Sequence, residues 1–160
     1  MKVVINKGKN DYREQSLARL SEIYLKNNQP NEAIPYLELL SDEAYEAENI
    51  LFAQSNLMNV YFETEDFEKA AGLAEKVLQN DTIDPELELD AQKIMARTAM
   101  FINDTETAKQ YYALLEEKAT RELKVEAIYH RAYFKHLEKD YEESNQIIQD
   151  LIANYSAYKY

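Results

Sequence analysis

Four times along the chain a polar residue is followed, four positions later, by a small one that opens a new apolar stripe. The segments are Gln29-Pro30-Asn31-Glu32-Ala33, Asp66-Phe67-Glu68-Lys69-Ala70, Asp104-Thr105-Glu106-Thr107-Ala108 and Asp140-Tyr141-Glu142-Glu143-Ser144. The small residues stand at 33, 70, 108 and 144, so the steps are 37, 38 and 36 residues. A near-constant period of this length marks stacked supersecondary units, none of which can bury its apolar face alone. It demands the same local structure four times over.

Each segment has the logic of a helix start. Asp66, Asp104 and Asp140 are predicted N-caps, accepting from the first free N–H groups of the helix that follows. Asp140 with Glu143 has the spacing of a capping box. In the first unit Asn31 is the expected cap, with Pro35 in the first turn, where a missing N–H matters least. Apolar residues then step by three and four: Ile34, Leu37 and Leu40; Leu73, Ala74 and Val77; Tyr111, Tyr112 and Leu115; Ile147, Ile148 and Leu151. Upstream stripes mark the first helices: Leu17, Leu20 and Tyr24 with Ala18 and Ile23; Leu57, Met58 and Tyr61; Met95, Ala96 and Ala99; Val125, Ile128, Tyr129, Ala132 and Tyr133. All follow the 3.6 period, not alternation, so strands are not expected. Asp84-Pro85 reads as a cap with proline at the first helical position. The predicted fold class is all-α, about eight helices in four antiparallel pairs.

Composition agrees and removes several functions. With 2 Gly and 3 Pro in 160 residues, the chain lacks the turns of a sandwich or barrel, and glycine at only Gly8 and Gly72 leaves no phosphate-binding loop or Gly-x-Ser-x-Gly nucleophile turn. No enzymatic constellation is visible. Aromatics at 11% argue for an ordered core. Thirty Asp and Glu against 18 Lys and Arg, a net charge of -12, exclude nucleic acid and disfavour an anionic membrane surface. The longest apolar run, near Ile50-Leu51-Phe52-Ala53, is far too short to span a bilayer, and the apolar stretch after Met1-Lys2 is too short for a secretory signal. Without cysteine there is no disulfide, zinc–thiolate site or thiol nucleophile. His130 and His136, six apart, fall on different helix faces and are expected at the surface or the rim of a groove; Asp81 to Asp90 lacks the glycine of a calcium loop and reads as a solvated acidic linker. No metal or cofactor is expected.

Helix pairs with a small residue four past a Asp-Phe or Asp-Tyr turn, preceded by Leu17-x-x-Leu20-x-x-x-Tyr24 or Leu57-x-x-x-Tyr61, resemble tetratricopeptide repeats, whose period is about 34. The resemblance spans 12–155, in units 12–45, 46–82, 84–119 and 121–155. Residues 1–11 form an N-terminal extension or the end of a preceding repeat, and 156–160 a tail or the start of a further helix. It implies a right-handed α-solenoid of about four TPR-like hairpins. The third and fourth units depart from the pattern: Ala99 stands where Tyr is usual, and Arg131 and Lys135 occupy positions the family buries. The long period, tyrosine content and acidity are similar to arrays of bacterial periplasmic and outer-membrane lipoproteins, which implies a cell-envelope setting.

The resemblance also implies a role as an interaction scaffold, in which the first helices line a concave face that binds a protein or peptide segment. Its groove positions would be Gln15, Ala18 and Glu22; Phe52, Ser55, Asn59 and Phe62; Asp90, Lys93, Arg97 and Met100; and Tyr129, Tyr133 and His136. An aromatic wall beside Lys93 and Arg97 would grip an apolar anchor and a carboxylate together. The chaperone-type carboxylate clamp is not matched, since Ala18, Glu22 and Ile94 stand where it needs cations or amides. The competing reading makes Phe52, Tyr129 and Tyr133 inter-repeat core and leaves Lys93 and Arg97 solvated. A second function is a spacer or homo-oligomer, the terminal hairpin with Tyr155, Tyr158 and Tyr160 docking on a copy of itself.

Overall fold

A computed structural model describes residues 11–155. Among the described residues the chain forms eight α-helices and no strand: α1 (Asp11–Lys26), α2 (Pro30–Glu43), α3 (Ala47–Glu63), α4 (Phe67–Leu78), α5 (Pro85–Phe101), α6 (Thr105–Lys118), α7 (Arg121–Leu137) and α8 (Tyr141–Tyr155). They fall into two compact units, Met1–Ile83 with α1–α4 and Asp84–Tyr160 with α5–α8. Within each unit consecutive helices pack on one another.

The predicted aspartate caps are in place. Asp84 accepts from the N–H groups of Glu86 and Leu87, both at 2.9 Å, Asp104 from Thr107 at 3.2 Å, Asp140 from Glu143 at 3.2 Å, and Asp66 from Lys69 at a long 3.5 Å. The first unit departs from expectation. Its helix starts at Pro30, the cap is Gln29 without a side-chain bond, and Asn31 lies inside the helix. Proline suits the first helical position because its fixed φ is already helical and no N–H is needed there. Pro35 therefore sits past the first turn, where it has no N–H to give the Asn31 carbonyl. The capping box at Asp140 is half formed. Glu143 turns to Lys135 at 2.7 Å, and the Asp140 N–H is already used by the Lys135 carbonyl.

The small residues that set the period are buried at helix contacts: Ala33, Ala70 and Ala108 are fully enclosed, and Ser144 is buried with its hydroxyl donating to the Ala132 carbonyl at 2.9 Å. Packed interiors leave no room there for a longer side chain. In the first unit Leu17, Leu37, Leu40, Leu57, Met58 and Val77 fill the core. In the second, Ala96, Ala99, Tyr112, Leu115 and Phe134 form one cluster and Ile128, Ala132 and Ile147 another.

Arg131 and Lys135 do not break the last pair of helices. Both stay at the surface, Arg131 3.1 Å from Glu116 and Lys135 on Glu143, while Ile128, Ala132 and Phe134 of the same helix turn inward. A long cation that can reach water and a carboxylate has no reason to be buried.

Candidate functional site

The expected groove residues separate into two sets, one in each unit. In the first unit Phe52, Ser55, Asn59 and Phe62 recur at helical spacing along α3, so they share a face, and all are half-buried. Their polar groups turn back on the helix: the Ser55 hydroxyl donates to the Phe52 carbonyl at 3.1 Å and the Asn59 amide to the Ser55 carbonyl at 3.0 Å. Phe62 packs edge-on against Phe67 with centroids 5.7 Å apart. On α1, Gln15 is exposed and Ala18 half-buried, and Glu22 is drawn to Arg19 at 2.9 Å and Lys26 at 3.9 Å.

The second unit holds a denser arrangement. Arg97 on α5 forks onto Glu126 of α7, Nε to Oε1 at 2.9 Å and Nη2 to Oε2 at 2.6 Å, the parallel geometry that makes such pairs strong. Tyr112 of α6 donates its hydroxyl to the same carboxylate at 3.0 Å. His130 lies flat on the Tyr112 ring, with centroids 4.1 Å apart and planes 17° off parallel. Tyr129 and Tyr133 meet the edges of His130 at 5.5 and 6.4 Å, yet their own surfaces remain 49% and 39% exposed. These two are not core. His136, exposed, sits edge-on to Tyr141 at 5.1 Å. Lys93 bonds Asp90 at 2.5 Å, and Met100 packs against the Ala96–Phe134 cluster instead of facing a ligand.

Burial pushes the Glu126 carboxyl up, but Arg97, Tyr112 and the nearby His130 outweigh it and hold it below the ordinary carboxylate value. Burial pushes His130 down, and repulsion from Arg97 adds to this against the pull of Glu126, so the ring is a weaker base than usual.

One expectation is thus corrected and another narrowed. Arg97 is not a guanidinium awaiting a partner's carboxylate, because its fork is closed on Glu126. Of the two places expected for His130, surface or groove rim, the open surface is ruled out: it is half-buried in an aromatic stack behind Tyr129 and Tyr133. Glu126 went unmarked in the sequence because its partners come from α5 and α6. The same holds for Glu14, a buried acid of α1 that accepts from the Tyr45 and Glu46 N–H groups, at 2.7 and 3.3 Å, and from the Asn49 amide at 3.0 Å. It ties the segment that leads into α3, and the Asn49 side chain in the first turn, to α1; Glu46, the local cap, makes no side-chain bond. In the last helix Tyr155 packs against the Ile128–Ile147 cluster, while Tyr158 and Tyr160 lie outside the described residues.

Among the described residues no group of three His, Cys, Asp or Glu is placed to hold a metal, and no helix is long and apolar enough to cross a membrane. No family model matches the chain, and no curated protein matches its sequence. Among solved structures it is similar to a point-substituted form of a Podosopora anserina protein described as a kinesin light chain with nearly identical TPR-like repeats. The TM-score is 0.65 with 19% identity, over 95% of this chain and 79% of that one. At that identity the likeness is one of fold. The chain is an all-α protein of TPR-like helical-repeat fold, as the resemblance implied.

Proposed function

We propose that this protein is a non-catalytic interaction scaffold that holds a protein or peptide segment against its first helices. The observation that carries the reading is the pair Tyr129 and Tyr133, one turn apart on α7 and well exposed although the His130 ring backs both. Rigid, half-solvated tyrosines bring large contact area at little entropic loss, which is why they dominate binding hot spots. The Arg97–Glu126–Tyr112 bonds hold α7 in place beforehand, so binding orders little. A net charge of -12 favours a basic or neutral segment. Lys93 on α5 and His136 on α7 are further polar contacts in this reading, and Phe52, Ser55, Asn59 and Phe62 give the first unit a surface of its own. Helical-repeat folds commonly serve this role, and the long period supports a cell-envelope setting like that of the bacterial lipoprotein arrays.

The test is capture from the native host followed by mass spectrometry. Tyr129→Ala with Tyr133→Ala is expected to lose the partner that the wild type retains, with helix content by circular dichroism unchanged. Retention by the folded double variant would overturn the reading. A second reading, self-association, draws on Ile152, 63% exposed on α8. A molar mass by light scattering that stays monomeric across a concentration series would remove it.

A further inference from the structure

In the first unit an open groove of about 790 Å3 lies between α2 and α4. α4 contributes Lys69, Gly72, Leu73 and Lys76, a single helix face by spacing, and α2 contributes Glu38, Leu39 and Asp42. These are second helices, distinct from the surface of Tyr129 and Tyr133, so the inference stands independently of the reading above.

Gly72 is the anomaly. It lies exposed in the interior of α4, where glycine costs about 1 kcal/mol relative to alanine. A Cβ built there meets nothing within 4 Å, and the backbone is not in the left-handed region. Neither the fold nor the chain's own packing calls for glycine. A bare helix backbone at the centre of a groove is what a closely approaching second backbone needs.

The rims add a chemical demand. Glu38 and Asp42 edge the α2 side; Lys69 and Lys76 edge the α4 side. Glu38 is held by the Tyr61 hydroxyl, and Lys69 lies over the Tyr61 ring at 4.8 Å while pairing with the cap Asp66 at 3.0 Å, so both rims are positioned. The second unit differs at the equivalent positions. Stepping by the repeat, Leu57, Tyr61 and Gly72 become Arg131, Lys135 and Gln146, and the two cations pair with Glu116 and Glu143.

We propose that the α2–α4 groove of the first unit seats an amphipathic helix of a partner protein. Its apolar face lies toward Leu39 and Leu73, Lys or Arg line the edge facing Glu38 and Asp42, and Asp or Glu line the edge facing Lys69 and Lys76. A partner with one sign of charge on both edges would meet repulsion from one rim.

The probe is a synthetic helix of about 18 residues with a leucine stripe, lysine along one edge and glutamate along the other. Two controls keep the stripe and carry lysine, or glutamate, on both edges. By fluorescence anisotropy with the full chain, the mixed-edge peptide is expected to bind at least about tenfold tighter than either control. Gly72→Arg is expected to weaken it by about tenfold or more, and Lys69→Glu with Lys76→Glu to shift preference to the lysine-edged peptide. Arginine forms helix better than glycine, so Gly72→Arg is expected to keep its helix content. Tyr129→Ala with Tyr133→Ala leaves this binding unchanged. The proposal is overturned if no peptide binds at about 1 mM, if all three bind alike, or if folded Gly72→Arg binds as the wild type does. It is also overturned if the chain dimerises and Gly72→Arg abolishes the dimer, since the occupant is then a second copy.

Discussion

A histidine stacked on a tyrosine, its Nδ1 buried with no hydrogen-bond partner among the described residues, resists taking a second proton. Burial is the main cause, with Arg97 opposing the pull of Glu126. The folded ring titrates below its unfolded value near 6.5, so its contribution to stability is complete above that pH and is lost as pH falls from there through the folded value. Thermal unfolding of the wild type is therefore expected to soften as pH drops below about 6.5, and His130→Phe to flatten that dependence while keeping the stack on Tyr112. An unchanged slope in the variant would show that another group titrates. Glu14 and Glu126 act lower. Burial raises Glu14, but its three donors prevail and its carboxyl stays below 4.5, so its stabilisation is present above that pH and lost as pH falls further. The windows separate the histidine from the acids.

At the scale of the element, the four hairpin turns share a conformation that the sequence conceals. Asn28, Glu65, Asn103 and Lys139 all take positive φ, from 56° to 65°. After each, the next N–H reaches back five residues: Gln29 to Tyr24 at 2.9 Å, Asp66 to Tyr61 at 2.8 Å, Asp104 to Ala99 at 2.8 Å and Asp140 to Lys135 at 3.0 Å. With the bonds from Asn28, Glu65, Asn103 and Lys139 to the carbonyls three residues before, this is the Schellman arrangement without glycine. Asparagine tolerates the left-handed region; glutamate and lysine pay about 1 kcal/mol for it. Glu65→Gly and Lys139→Gly are each expected to stabilise by roughly 0.5–1 kcal/mol in urea unfolding, and Asn28→Gly and Asn103→Gly by less. Equal effects at all four sites would contradict this account. The turns were legible as polar breaks between stripes; their handedness was not, because none carries the glycine that ordinarily signals it.

For the whole molecule, the charge of -12 and the ion pairs pull in opposite directions when salt is added. Most of the pairs are solvated, and such pairs contribute about 0–1 kcal/mol each. Self-repulsion of the acidic excess acts on the entire folded chain and is screened over about 10 Å at moderate ionic strength. Raising salt at neutral pH is therefore expected to raise the melting temperature by a few degrees, and a fall would show that the pairs outweigh the repulsion. What the chain determines by itself is what near neighbours decide: the period, the aspartate caps, the apolar stripes and the enclosed Ala33, Ala70, Ala108 and Ser144 all follow from contacts within a turn or a hairpin. What only the tertiary structure decided are contacts whose partners are far apart in sequence. Arg97 meets Glu126 29 residues on, Tyr45 gives its N–H to Glu14 31 residues back, and the groove at Gly72 opens against α2. Spacing tells which residues share a helix face; only packing sets how each helix is turned about its axis, and that rotation chooses whether an arginine finds a carboxylate or a glycine finds open space.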